Sequence, residues 1–313
     1  MRQKSGATSH QGLLPAGFSA EHFGPNDHYF WDNFWSLAAV ERAVWAAEVL
    51  AEGADLARFQ KLAVDYRKDL EKAMTLALEK NQGILPSSPY RRPDSACIGN
   101  MVATAPLGLV STNSPWMRAT VKFLLQNNLR DGLFFQRIIH TGLNPYLSAQ
   151  LARTLLSLGE HRLFLQMVRR ISEAATSTDT WPEAIHPRVG GGCMGDGDHG
   201  WSAAEFISLM RECFVNETAA GLTFAAGMPI EWLDAREEIS AKAAPTDWGM
   251  VSWSLVPLDG KFRFSWELIP NVFHEPLKME LSLPSTVPGG PRRLHPLLSL
   301  SGTMMVEAVG DSP

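Results

Sequence analysis

The chain has 313 residues, of which 45% are hydrophobic and 19% are charged, and its net charge at pH 7 is −5. This length allows two domains, the apolar fraction excludes a disordered or collagen-like chain, and the weak negative charge gives no reason to expect a nucleic acid partner. The chain contains ten tryptophans and four tyrosines, which is an unusual ratio. Tryptophan rings stack on the apolar faces of sugars, but they also fill large helical cores.

The cysteine count and the amino-terminal segment bear on the compartment. Cys97, Cys193 and Cys213 are an odd number of widely spaced cysteines, which predicts reduced thiols. The amino-terminal residues carry basic side chains without an apolar stretch after them, so they do not form a secretory signal. No run of about 18 apolar residues is present, which predicts that nothing spans a membrane. We therefore expect a cytoplasmic protein, unless a signal peptide is encoded upstream.

The first two thirds of the chain carry helical periodicity. Residues 1–33 are polar and loop-like, and they end in the dense run GPNDHYFWDNFW. A period of 3.6 residues then predicts a helix from about residue 34, followed by a second helix that Asp55 caps. Long loops are expected at 81–96, 130–146 and 176–200. Further helices are predicted at about 97–108, 115–128, 145–158, 160–175 and 201–215.

The period changes after about residue 218. Short runs such as KFRFSWEL alternate polar and apolar residues, which is typical of half-buried strands. The sequence therefore predicts a loop region at 1–33, a domain of helical hairpins at 34–217, and a small antiparallel, β-sandwich-like domain at 218–313 with a Pro/Gly-rich tail.

The first loop places carboxylates among aromatic rings. Asp27 and Asp32 lie in a run that also contains Trp31. Apolar surroundings raise the pKa of a carboxyl, which is what a general acid needs at neutral pH. The alternative is that Asp32 or Asn33 caps the following helix and the rings belong to the core.

The two later loops carry further polar groups. Pro182 restricts the backbone before Glu183, and the glycines at 190–200 allow close approach to a ligand. The middle loop offers groups that bind hydroxyls, with a helix cap at Asn144 as the alternative. Several metal-ligand residue types lie close together in the third loop, but no ligand spacing matches a known metal motif, so neither a metal nor a cofactor is predicted. These residues are His186, Cys193, Asp196, Asp198 and His199.

Three motifs carry a family resemblance. The segment YFWDNFW is similar to the loop that carries or neighbours the general acid in six-hairpin, (α/α)6-barrel glycosidases, TWPEAIHPR to their late loop that presents the general base, and GDGDHGWSAAEFISLMR to the start of their closing barrel helix. This group includes glucoamylases, trehalases, α-rhamnosidases and glycogen-debranching glucosidases. The resemblance covers most of residues 12–256. It implies a mainly α fold, a partial (α/α)6 toroid followed by the β domain.

The resemblance also implies roles for individual residues. Asp32 would be the general acid and Glu183 the general base of an inverting mechanism, in which the two carboxyl groups lie about 6.5–9.5 Å apart. Asp27 is the second candidate for the acid, and the alternative role of Asp32 is to bind hydroxyls of the sugar being cleaved. The remaining candidates would line the sugar pocket, and they are Trp31, His140, Asn144, Trp181, His186, Asp198 and His199.

A complete barrel of this family has twelve helices, whereas about seven are predicted between residues 34 and 215. We therefore expect a C-terminal portion of a longer glycoside hydrolase acting on an α-linked sugar, which would self-associate through exposed helical faces. Two other functions stay open. One is a glycoside phosphorylase, for which His186 and Arg188 are the cations nearest in sequence to Glu183. The other is a non-catalytic carbohydrate-binding protein.

Overall fold

The structure is a computed structural model that describes residues 8–19, 25–111, 114–137, 141–195, 197–218, 221–271, 278–285 and 290–307. Its chain contacts divide it into two compact units. The first unit comprises Met1–Gly159 and Gln166–Glu205, and the second comprises Glu160–Leu165 and Phe206–Pro313. Every candidate site residue that the structure describes belongs to the first unit.

The described residues are 42% helical and 25% in strands, so the expectation of a mainly α chain with a partial toroid is wrong and the fold is mixed α and β. One of the predicted helices, at about 97–108, is a 3₁₀ helix, Ser95–Ala103. The α-helices are α1 Phe30–Val49, α2 Gly53–Lys80, α3 Pro115–Asn128, α4 Pro145–Ser157, α5 His161–Glu173, α6 Gly200–Phe214 and α7 Ile230–Asp234.

The helices α1 and α2 form an antiparallel hairpin around a shared apolar core. Phe30, Phe34 and Leu37 of α1 pack with Tyr66 and Leu70 of α2 in one buried cluster. The first helix begins four residues before the predicted start, and Asp55 lies inside the first turn of α2 rather than capping it. Its carboxylate instead pairs with Arg58 at 2.8 Å.

Strands in the first unit explain why the expectation of a mainly α chain was wrong. The predicted loops at 130–146 and 176–200 contribute the strands of a five-stranded antiparallel sheet in the order β1 to β5. Asp131 and Gly132 have positive φ angles of 49° and 77° and form the two-residue connection of its first hairpin, as Asp-Gly turns do. The strands are β1 Leu129–Arg130, β2 Leu133–Gln136, β3 Gly142–Leu143, β4 Ala184–Ile185 and β5 Gly192–Met194.

The second unit contains two four-stranded sheets. One is antiparallel in the order β13-β10-β9-β8, and the other has the order β12-β11-β7-β6 with a parallel β11–β7 pair. Buried side chains of both sheets, including Trp253 and Phe224, belong to one apolar cluster. The strands are β6 Val215–Thr218, β7 Gly221–Phe224, β8 Ile239–Thr246, β9 Gly249–Leu258, β10 Lys261–Pro270, β11 Lys278–Leu283, β12 Arg293–Leu297 and β13 Ser301–Glu307.

Among the helices of the described residues, none combines the length and the apolar content that a membrane crossing requires.

Candidate active site

Asp32 lies in the first turn of α1, with its side chain partly buried. Burial raises the pKa of Asp32 to about 6, because a carboxylate loses hydration there, and a hydrogen bond from the Ser19 side chain opposes this rise by a smaller amount. The N-cap of α1 is Tyr29, so Asp32 does not cap the helix. A carboxyl with this pKa keeps its proton in a useful fraction of molecules near neutral pH, as a general acid requires.

Asn33 holds the turn that presents Asp32. Its side chain is fully buried, and its Oδ1 accepts hydrogen bonds from the backbone N–H of Leu14 at 3.0 Å and from the hydroxyl of Tyr66 at 2.8 Å. Its Nδ2 donates to the carbonyl of Tyr29 at 2.7 Å. The side chain therefore joins α1, α2 and the amino-terminal segment, and it does not cap the helix.

The carboxylate of Asp27 accepts hydrogen bonds from other parts of the protein. Its Oδ2 accepts a hydrogen bond from the Ser88 hydroxyl at 2.6 Å, and its Oδ1 accepts one from the backbone N–H of His28 at 2.8 Å. The backbones of Asp27 and Gly17 exchange two hydrogen bonds of 3.0 Å. These contacts fix the entry into α1 and engage both carboxylate oxygens.

Trp31 is partly buried beside the same turn. Its ring packs edge-on against Trp35, with the centroids 5.9 Å apart and the planes at 62°. Trp35 is 38% exposed, so part of its side chain is open to solvent. The two tryptophans are four residues apart and share one face of α1, and Trp35 also lies three residues after Asp32.

The five-stranded sheet brings the other two candidate loops together. Leu143 of β3 pairs with Ile185 of β4 in an antiparallel register. Asn144 directly follows β3 and Glu183 directly precedes β4, so the two residues lie at the same end of this strand pair. Gly142 permits this approach, because a Cβ at this position would lie 2.9 Å from the Cβ of Ala184. The sheet therefore joins two segments that are about 40 residues apart in sequence.

The 3₁₀ helix Ser95–Ala103 packs against several elements of the first unit. It contacts α1, which carries Asp32, and it also contacts α3, α4 and β2. The backbone N–H of Arg137, directly after β2, donates to the Ser95 hydroxyl at 3.1 Å. Helix α1 and strand β2 of the sheet thus both pack on the same short helix.

Asn144 precedes α4 as its N-cap residue, but its side chain makes no capping hydrogen bond. The side chain is fully buried, and its Nδ2 donates to the Oε1 of Gln136 at 3.1 Å. Asn144 therefore supports the loop from inside the protein. His140, the other candidate of this loop, lies outside the described residues.

Glu183 directly precedes β4, in the hairpin of residues 181–195, hereafter the base hairpin. A Cβ at Gly195 would lie 3.1 Å from the Cβ of Glu183 and 3.4 Å from its backbone nitrogen, and Gly195 has a φ of +68°. Trp181, two residues earlier, is 4% exposed and donates its Nε1 hydrogen to the carbonyl of Ile171 at 2.8 Å. Trp181 thus anchors the base hairpin in the core and leaves Glu183 at its partly exposed edge.

His199 closes the base hairpin from the other side. Its backbone N–H donates to the carbonyl of Trp181 at 2.9 Å, and its Nδ1 lies 2.9 Å from the Ser202 hydroxyl. Its ring meets Tyr146 edge-on at 5.1 Å, and the Trp201 ring lies at the same distance from Tyr146. Asp198 is exposed next to it.

The side chain of His186 accepts backbone hydrogen bonds in the turn of the base hairpin. Its Nδ1 accepts from the backbone N–H groups of Arg188 at 3.2 Å and Val189 at 3.4 Å. Among the described residues, no three His, Cys, Asp or Glu side chains are grouped so that they could hold a metal ion. Asp196, which was considered for such a site, lies outside those residues.

Two residues that contact the candidates were missed in the sequence. Ser19 donates to Asp32 from a segment 13 residues earlier, and Tyr146 packs on His199 from α4. Neither contact leaves a signal in the sequence, because both depend on how distant segments pack.

Comparisons with known proteins give a structural match. No family profile and no curated protein sequence matches the chain. In the solved structures, 63% of the chain aligns with 55% of a glycosidase carrying a glutamate-to-alanine substitution, at 16% sequence identity and a TM-score of 0.52. The shared fold is that of a glycosidase.

Two further solved structures align at a lower score. A wild-type glycosidase covers 60% of this chain and 52% of its own length at 17% identity, with a TM-score of 0.49. A second glutamate-to-alanine variant of a glycosidase, in complex with glucose, covers 60% of this chain and 53% of its own at 17% identity, with a TM-score of 0.48. The chain spans about half the length of the solved structures it matches.

Proposed function

We propose that the chain is a glycoside hydrolase that cleaves an α-linked sugar by an inverting mechanism, with Asp32 as the general acid and Glu183 as the general base. The observation that carries this proposal is the environment of Asp32. Its carboxyl is partly buried in the first turn of α1, and burial raises its pKa to about 6. The glycosidase fold over 63% of the chain supports the same reaction class.

The proposed chemistry is a single displacement. Glu183 accepts a proton from a water molecule as the water oxygen attacks the anomeric carbon. The bond from that carbon to the glycosidic oxygen breaks, and the proton of Asp32 passes to the leaving oxygen. One water is consumed, the leaving alcohol departs neutral, and the anomeric configuration is inverted.

The base hairpin supports the role of Glu183. A general base needs a fixed direction, and Gly195 packs against the Cβ and the backbone nitrogen of Glu183. The anchored Trp181 and the bond from His199 to its carbonyl hold the same backbone from both sides. These contacts hold the backbone of Glu183 in place, and the residue itself stays partly exposed.

A panel of aryl α-glycosides tests the proposal directly. We expect the wild type to hydrolyse at least one of them, and Glu183→Gln to lower the rate by about 10² to 10⁴, the range that base catalysis supplies. Glu237→Gln, an exposed glutamate of the second unit, is the matched control and should leave the rate unchanged. Equal rates for the wild type and Glu183→Gln would contradict the proposal.

The same panel separates the other functions. Turnover that requires added inorganic phosphate and releases a sugar phosphate would identify a phosphorylase. Sugar binding by calorimetry without turnover of any glycoside would identify a non-catalytic binding protein. Each result would overturn the proposed hydrolysis.

A further inference from the structure

The exposed tryptophan nearest to Asp32 lies on the same helix. Trp35 follows Asp32 by three residues, and this spacing places the two side chains next to one another on one face of α1. Trp35 is 38% exposed, whereas Trp31 beside it is partly buried. The open ring therefore lies within one helical turn of the proposed acid.

The orientation of Trp35 is fixed by Trp31. The two rings meet edge-on at 5.9 Å and 62°, an arrangement in which the edge of one ring is held against the face of the other. Trp31 itself packs against the buried cluster of the α1–α2 hairpin. A ring held in this way presents a flat apolar surface without a large loss of side-chain entropy on binding.

The chemistry decides which part of the substrate lies there. A general acid protonates the glycosidic oxygen, so the leaving group must lie on the side of Asp32. A pyranose ring has an apolar C–H face that matches an indole ring in size and polarity. A small leaving group, such as fluoride, would not reach it.

We propose that Trp35 binds the leaving group of the substrate, and that this leaving group is a pyranose ring stacked on the indole. This inference rests on the proposed function, because it takes Asp32 as the acid. It names Trp35 as a residue that determines specificity and the substrate as a glycoside whose leaving group is itself a sugar.

Trp45 provides a matched control. It lies on the same helix and is 44% exposed, close to the exposure of Trp35. It is ten residues further along α1, about 15 Å at 1.5 Å per residue. The substitutions Trp35→Ala and Trp45→Ala therefore remove the same group from the same helix at similar exposure, near Asp32 and away from it.

The experiment compares two kinds of substrate for each variant, namely α-linked disaccharides and α-glycosyl fluorides, each in the gluco, manno and galacto series. Trp35→Ala should raise KM for the disaccharide about tenfold, the loss expected for one ring contact, and leave the fluoride kinetics unchanged. Trp35→Phe should recover part of the loss, and Trp45→Ala should match the wild type. An equal effect on fluoride and disaccharide, or an equal effect of Trp45→Ala, would overturn the proposal.

Failure of the proposed function is distinguishable from failure of this inference. If the wild type turns over neither substrate, the proposed function fails, and calorimetry with the same disaccharides then decides the role of Trp35. Weaker binding by Trp35→Ala alone would support the stacking surface. Equal affinities for all variants, or no binding by the wild type, would overturn it.

Discussion

The side chain of Ser19 donates a hydrogen bond to Asp32 across the junction between the amino-terminal segment and α1. Two effects on the carboxyl therefore oppose each other. Burial raises the pKa to about 6, and the hydrogen bond favours the carboxylate and lowers the pKa by less than burial raises it. The environment of Asp32 keeps its proton available at a pH where an exposed aspartate has lost it.

The pKa of Asp32 predicts a pH dependence of activity and stability. Because the acid must be protonated, kcat/KM should fall as pH rises through about 6. The carboxyl also binds its proton more tightly in the folded chain than in the unfolded chain, where its pKa is 3.8. Its contribution to stability is therefore complete below pH 3.8 and is lost as pH rises through 6.

Asp32→Asn tests both parts of that prediction. The variant should lose activity at every pH, while its stability relative to the wild type should be greater at pH 8 than at pH 4. Urea unfolding at the two pH values measures this difference. A stability gap that does not change with pH would show that folding does not raise the pKa of this carboxyl.

Gly195→Ala should impair catalysis by displacing Glu183. An alanine Cβ would lie 3.1 Å from the Cβ of Glu183, in a contact that requires one of the two to move. Gly190→Ala is the matched control, because Gly190 has a similar φ of +73° and no atom within 4 Å of the added Cβ. Both variants should lose about 1 kcal/mol of stability from the left-handed backbone conformation, but only Gly195→Ala should lower kcat. Equal kcat values for the two variants would argue against Glu183 as the base.

Asn33→Ala should destabilise the chain by about 3 kcal/mol, because two donors and one acceptor lose their buried partner. Asn127→Ala removes one exposed side-chain hydrogen bond to the Phe123 carbonyl and should cost about 0.5 kcal/mol or less. Chemical denaturation of both variants measures the difference. A cost for Asn33→Ala as small as that of the control would mean that this network does not hold the start of α1.

The ion pair between Arg153 and Glu205 should contribute more than an exposed one. Its side chains are 11% and 12% exposed, and the Glu205 carboxylate also accepts from the Trp201 indole at 3.3 Å. Arg153→Met should therefore cost about 2–3 kcal/mol, because a largely buried carboxylate loses its cationic hydrogen-bond partner. Arg58→Met removes a pair with 66% and 53% exposure and should cost at most about 1 kcal/mol. Similar unfolding free energies for the two variants would contradict this ranking.

The helices of the first unit were largely predictable, because their apolar residues repeat every 3.6 positions; the predicted helix at 115–128 has those bounds in the structure. The short strands of the first unit were not predictable, because segments of two to four residues are too short to show a hydrophobic period. The Asp131-Gly132 turn was the one available signal for a hairpin in that region. The pairing of the remaining strands depends on packing between segments that are distant in sequence.

The same distinction applies to the candidate site. A carboxylate among aromatic rings made Asp32 a candidate from sequence, and its raised pKa follows from the same burial. The burial of Asn144 and Trp181 was not predictable, because polar and aromatic residues in a loop are as compatible with support from inside as with contact to a ligand. Asn144 bonds to Gln136 of β2, and Trp181 bonds to the carbonyl of Ile171 in α5, and both bonds join segments whose packing the sequence does not reveal.

The anomeric configuration of the first product tests the central claim most directly. Proton NMR records this configuration during hydrolysis of an α-glycoside from the aryl panel. Inversion by way of Asp32 and Glu183 predicts that the β-anomer appears first and converts to the α-anomer by mutarotation. It also predicts that this signal is lost in Glu183→Gln. An α-anomer formed first, or a β-anomer formed at the wild-type rate by Glu183→Gln, would contradict the account.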